Sequence, residues 1–128
     1  MMMKRATKWA SGLAAVAVLA TLAVASAARA ATPYDGKWSV SIITDNGDCD
    51  RAYRYEIVIS NGHVTYDSQE ILVSGQVNAG GQVSVTIKHG QDSANGSGRL
   101  SGDTGTGRWT GQSTANKCSG HWEAERRS

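Results

Sequence analysis

The sequence has few of the residues on which catalytic and metal sites are usually built. It contains two cysteines, Cys49 and Cys118, and three histidines, His63, His89 and His121. No pair of histidines has a spacing typical of a zinc site, and no G-x-S-x-G sequence is present to form a nucleophile elbow. We therefore expect a protein that is not an enzyme and that holds no metal and no cofactor.

Long apolar runs are also missing beyond the first segment of the chain. Leu13 to Ala25 consists of Leu, Ala and Val with one Thr, and basic residues precede it at Lys4, Arg5 and Lys8. The run is shorter than the ~20 apolar residues that a membrane-spanning helix needs. A basic start, an apolar centre and small residues at a cleavage point are typical of a secretory signal peptide.

The small residues Ala28-Arg29-Ala30 predict cleavage before Ala31, with Ala25-Ser26-Ala27 as a neighbouring alternative. The prediction is a signal peptide over 1–30 and one mature domain over 31–128. We expect the mature domain to be secreted or periplasmic, monomeric and without a membrane span.

Removing the signal peptide reverses the sign of the net charge. The whole chain has 13 basic and 11 acidic residues, and four of the basic residues lie in 1–30. The mature domain therefore carries nine basic and 11 acidic residues, a net charge of −2. Nucleic-acid binding is not expected, because it needs a basic patch on the folded domain.

The two cysteines most simply form one disulfide in an oxidising compartment. A Cys49–Cys118 bridge would close a loop of about 70 residues, which the chain-entropy model equates with about 4 kcal/mol of stabilisation. For a small domain this is a large share of the free energy of unfolding.

Apolar and polar residues alternate with period two through most of 31–128, and no segment there has helical periodicity. Asn61-Gly62 is a type I′ hairpin signal, and Ala79-Gly80-Gly81 and Gly102-Asp103-Thr104 mark further tight turns. We predict an all-β domain with an up-and-down meander of eight antiparallel strands, each about seven or eight residues long.

The disulfide favours closure of this meander into a barrel. If strand eight pairs with strand one, Cys118 lies beside Cys49 just past the end of strand one. An open sheet would hold the two cysteines beyond the ~7 Å Cα separation that a bridge tolerates. Closure would also remove two exposed strand edges. A two-sheet β-sandwich is the alternative.

Glycine, a basic residue and a large apolar residue recur in this order along the chain. If the large residues point inward, Trp38, Trp109 and Trp122 could line a cavity, with glycine making room and Tyr55 adding a hydroxyl. The alternative is that glycine lets an indole lie across it in a filled interior. The four occurrences are Gly36-Lys37-Trp38, Gly98-Arg99-Leu100, Gly107-Arg108-Trp109 and Gly120-His121-Trp122.

The mature chain resembles a group of small secreted β-rich proteins of Gram-negative bacteria, which implies export and a β fold but no activity. The residues that carry the resemblance are Tyr34-Asp35-Gly36-x-Trp38, Cys49-Asp50-x-Ala52-Tyr53, Gly98-Arg99-Leu100-x-Gly102, Gly107-x-Trp109 and Cys118-x-Gly120-x-Trp122-x-Ala124-Glu125-Arg126.

Gly36-x-Trp38 at the start of an eight-strand meander is also similar to avidin-like and lipocalin-like barrels. These observations lead to the expectation of an exported binding module for a small apolar or aromatic ligand. Two alternatives stay open. One is a module that interacts with an envelope protein or inhibits a protease, because the inhibitors of secreted metalloproteases are similar small barrels. The other is an envelope protein without a specific ligand.

Overall fold

A computed structural model describes residues 31–128, so the predicted signal peptide lies outside the described residues. The described chain forms eight antiparallel strands in a closed barrel, in the order β1 to β8 around the wall. This confirms the predicted all-β barrel and excludes the sandwich. The strands are β1 Gly36–Asn46, β2 Ala52–Ser60, β3 His63–Thr65, β4 Leu72–Val77, β5 Gln82–His89, β6 Asp92–Ser101, β7 Thr104–Gln112 and β8 Lys117–Arg126.

The pairing of β8 with β1 closes the barrel along nearly the full length of both strands. The pairs run from Trp38 opposite Arg126 to Asn46 opposite Ser119, with an irregularity between Thr44 and Asn46. The predicted disulfide is present at this seam, and the Cα atoms of Cys49 and Cys118 are 6.2 Å apart. Gly47 allows the loop to reach β8, because a Cβ atom there would lie 2.7 Å from the Cys118 sulfur.

The hairpin at Asn61-Gly62 has the predicted geometry. Both residues have positive φ, 52° and 79°, as a type I′ turn requires. The Asp35 carboxylate accepts hydrogen bonds from both of their backbone N–H groups. The turn is thereby tied to the chain segment that precedes β1.

Strand lengths depart from the prediction in both directions. β1 has 11 residues, whereas β3 has three and pairs with β4 at only two positions. Tyr66 and Ile71 continue the period-two alternation of the sequence but lie in the connection 66–71. Within this connection the Ser68 hydroxyl accepts hydrogen bonds from the N–H groups of Glu70 and Ile71. Such local side-chain bonds offer the backbone an alternative to the ladder.

The two ends of the barrel differ in how they are filled. The hairpins at Asn61-Gly62, 78–81 and 102–103, together with the segment 31–35, lie at one end, which we call the closed end. The fully buried hydrophobic cluster lies in this half of the barrel: Trp38, Ile59, Val64, Val77, Leu100, Trp122 and Ala124. The other end, which we call the open end, carries the disulfide and the connections 47–51, 66–71, 90–91 and 113–116. No helix long and apolar enough to cross a membrane occurs among residues 31–128.

Candidate functional site

A cavity of about 300 Å³ occupies the interior of the barrel. Its walls are aliphatic side chains that alternate inward along β1, β2, β4 and β5. Val40, Ile57 and Val85 pack against the buried cluster of the closed end but are only half-buried, and all three line the cavity. An eight-stranded barrel is wide enough either to fill itself or to hold one small ligand, and this barrel retains space. The aliphatic lining comprises Val40, Ile42, Ile57, Ile59, Val64, Ile71, Val73, Val77, Val83, Val85 and Ile87.

Three tryptophans line the cavity with their ring surfaces. Each indole N–H is already bonded to a backbone carbonyl: Trp38 to Tyr34 at 2.8 Å, Trp109 to Ile43 at 3.0 Å and Trp122 to Ser97 at 3.2 Å. The rings are therefore held in fixed positions, and their N–H groups are already used within the protein.

Glycines on β6, β7 and β8 make room for two of these indoles. A Cβ atom at Gly98 would lie 2.5 Å from Trp122 Cζ2, and one at Gly107 would overlap the same ring. A Cβ atom at Gly120 would lie 2.9 Å from Trp109 Nε1. The indoles thus lie across glycine, and both interpretations of the recurring glycines hold in part: indoles fill this side of the barrel, and a cavity remains beside them.

The open end of the cavity is bordered by three tyrosines in mutual contact. The Tyr53 and Tyr55 rings stack with centroids 5.9 Å apart, and Tyr66 meets Tyr55 edge to face at 5.4 Å. All three side chains line the cavity, and Tyr53 is 37% exposed. We call these three residues the tyrosine mouth.

The Tyr55 hydroxyl is held in its protonated form. Burial raises the pKa of Tyr55, and the nearby groups of Tyr53, Tyr66 and Asp50 raise it further. Within residues 31–128 no hydrogen bond ties the Tyr53, Tyr55 or Tyr66 hydroxyl to another group. The mouth therefore offers three hydroxyls that no protein group of residues 31–128 occupies.

The structure places the four candidate ligand-binding residues together along the cavity: Trp38, Tyr55, Trp109 and Trp122. Sequence reasoning missed His89 and Asp92, which line the cavity at the open end. The signal was available, because His89 shares the inward parity of Ile87, and Asp92 shares that of Ala94.

The site suits binding through apolar surface, ring faces and a few polar groups. Among residues 31–128, no three His, Cys, Asp or Glu side chains form a group that could hold a metal ion. Comparison with protein families, curated proteins and solved structures found no match to this chain.

Proposed function

We propose that this chain is an exported, non-enzymatic binding module that holds one small apolar or aromatic ligand inside its barrel. The observation that carries the proposal is the apolar cavity of about 300 Å³ that opens at the tyrosine mouth. This volume lies at the lower limit of ordinary ligand pockets, and a dry cavity of about 150 Å³ already binds benzene. The expected ligand is therefore roughly twice the size of benzene.

Export is supported by the disulfide and by the sequence of residues 1–30. A disulfide-bonded barrel fits an extracellular or periplasmic protein, because such bridges persist in oxidising compartments. The segment after the expected cleavage point, 31–35, is bound to the closed end of the barrel. Arg126 donates hydrogen bonds to the carbonyls of Pro33 and Asp35. Because this segment is bound to the barrel, it gives no support to the alternative of a protease inhibitor that acts through a free N-terminal arm.

The direct test is binding of a neutral fluorescent apolar probe, N-phenylnaphthylamine, to the purified disulfide-bonded protein. We expect enhanced probe fluorescence with a saturable, micromolar dissociation constant. Binding should also change the emission of the tryptophans that line the cavity.

Gly96→Leu is the variant that separates cavity binding from surface binding. Gly96 lines the cavity, and the nearest atom to a Cβ there is 3.7 Å away, an ordinary contact distance. The Cβ atom fits at this position, and the rest of a leucine side chain would take up cavity space, so probe affinity should fall at least about tenfold.

Ser97→Leu is the matched control, because it adds the same side chain at an exposed position on the outer face of the same strand. It should leave probe affinity unchanged. The proposal is wrong if the probe does not bind, or if Gly96→Leu and Ser97→Leu bind it equally well.

A further inference from the structure

Among the residues that the structure describes, the ionisable side chains that line the cavity include a carboxylate but no permanently positive group. Tyrosines apart, the lining residues within 31–128 include no lysine or arginine, and Asp92 is their one carboxylate. His89 also lines the open end, with its Nε2 atom 3.9 Å from the Glu70 carboxylate. A ligand with an anionic head group would find no permanent positive charge here, whereas an ammonium group would find Asp92.

The tyrosine mouth offers a second attraction for a cation. The faces of aromatic rings attract ammonium groups, and contacting rings at a cavity opening can share one cation between them. Tyr55 lies on β2 and Asp92 on β6, four strands apart around the closed barrel, so rings and carboxylate border opposite sides of the opening. The Asp50 charge that helps to keep Tyr55 protonated also favours a cation there.

The connections around the opening add to the negative potential. Residues 47–51, 66–71, 90–91 and 113–116 together contain four carboxylates and one basic side chain, Arg51. Lys88 and Lys117 lie at the adjoining ends of β5 and β8, as Asp45 and Asp92 do at those of β1 and β6, so an excess of negative charge remains. Such an excess around a cleft raises the local concentration of cations. The four carboxylates of the connections are Asp48, Asp50, Asp67 and Glu70.

We propose that the ligand is an amphipathic organic cation, with its apolar part in the cavity and its ammonium group at the open end, which the tyrosine mouth and Asp92 border. The inference rests on the proposed binding function and adds the sign of the ligand's charge to it. It excludes fatty acids and other apolar anions as preferred ligands.

Three compounds with one alkyl chain and different head groups test this inference: decyltrimethylammonium, decanol and decanoate. Each is titrated at low salt and neutral pH against protein loaded with N-phenylnaphthylamine. We expect the cation to displace the probe at roughly tenfold lower concentration than decanol, and decanoate to be the weakest of the three. Added sodium chloride should reduce the preference for the cation, because salt screens charges near solvent.

Substitutions test which side chains cause the preference for the cation. Asp92→Asn should weaken the cation about fivefold and leave decanol unchanged, since decanol has no charge to lose. Glu56→Gln is the matched control, because it removes one negative charge from an exposed position on the outer wall. It should leave the order of the three ligands as it was.

The Tyr55→Phe and Tyr55→Leu variants distinguish the contribution of the Tyr55 ring to cation binding from that of its hydroxyl. The phenylalanine keeps the ring face and should keep the preference for the cation, whereas the leucine should reduce it. Decanol binding reports in each variant that the cavity is intact.

Two kinds of failure are distinguishable. The inference is overturned if the probe binds but the cation has no advantage over decanol or decanoate, or if Asp92→Asn weakens decanol and cation equally. If neither the probe nor any decyl compound binds, the proposed function itself is wrong.

Discussion

The guanidinium carbon of Arg126 lies 5.0 Å from the centre of the Trp38 ring, and this contact covers the closed end of the barrel. The same guanidinium group donates hydrogen bonds to the carbonyls of Pro33, Asp35 and Gly102. One side chain of the last strand therefore joins the first strand, the segment before it and the hairpin between β6 and β7.

Arg126→Ala should lower the free energy of unfolding by about 3 kcal/mol, because it removes a cation–π contact and several charge-assisted hydrogen bonds at once. Arg126→Lys should recover less than half of this loss, since an ammonium group lacks the planar fork of donors. Asp103 accepts a bond from Arg126 Nε but is 78% exposed, so Asp103→Asn should cost under about 0.5 kcal/mol. Urea denaturation of the variants measures these values, and equal stabilities for Arg126→Ala and Asp103→Asn would contradict the prediction.

Two glycines with the same inward orientation should respond oppositely to alanine. A Cβ atom at Gly107 would overlap the Trp122 ring and the Ser97 carbonyl, whereas one at Gly96 meets nothing closer than 3.7 Å. Gly107→Ala should therefore destabilise by about 2–3 kcal/mol through overpacking. Gly96→Ala should be neutral or stabilise by about 0.5 kcal/mol, because alanine loses less backbone entropy on folding. Thermal unfolding of both variants checks the contrast, and a destabilised Gly96→Ala would show that this side of the barrel has no free space.

Much of the fold could be predicted from the sequence because period-two alternation sets the inward face of every long strand. Trp38, Trp109 and Trp122 line the interior as their parity requires. The disulfide supplied the long-range information that alternation lacks, because only a closed meander brings Cys49 to Cys118. The short β3 was not predictable, since Tyr66 continues the alternation, whereas the hydrogen bonds of the Glu70 and Ile71 N–H groups to the Ser68 hydroxyl that follow it depend on the folded connection.

The volume of the cavity could not be predicted from the sequence for a different reason. It is the difference between the volume inside the barrel wall and the volume of the side chains that enter it. Gly98 and Gly107 reduce the second volume, but Trp122 occupies the space that they leave. Only the positions of the indoles show that Val40, Ile57 and Val85 remain partly uncovered.

Asp35 should give the closed end a dependence on acid pH. The hydrogen bond from the Thr32 hydroxyl lowers the pKa of Asp35, and bonds from the N–H groups of Asn61 and Gly62 lower it further. A carboxyl whose pKa is lower in the folded state stabilises the fold above its unfolded pKa, and this stability is lost as the pH falls through the folded pKa.

Asp35→Asn should therefore be less stable than the unsubstituted protein at pH 7, and the difference should shrink as the pH falls below about 4, the ordinary pKa of an aspartate in an unfolded chain. Urea denaturation of both proteins between neutral and acid pH gives this difference directly. Glu123→Gln is the control, because its side chain is exposed on the outer face of β8. A stability difference for Asp35→Asn that stays constant down to the most acid pH would assign the effect to packing rather than to charge.

Cys49–Cys118 should contribute a large part of the stability of the barrel. The bridge spans a sequence separation of 69 and joins the loop after β1 to the start of β8. Replacing both cysteines by alanine should lower the free energy of unfolding by about 4 kcal/mol. In a domain of this size such a loss lowers the Tm by roughly 15–30 °C. Because the strands pair along the whole β1–β8 seam, the variant should still fold at low temperature and keep its β-sheet circular dichroism. A Tm within about 3 °C of the oxidised protein would show that the pairing of β1 with β8 closes the barrel without help from the bridge.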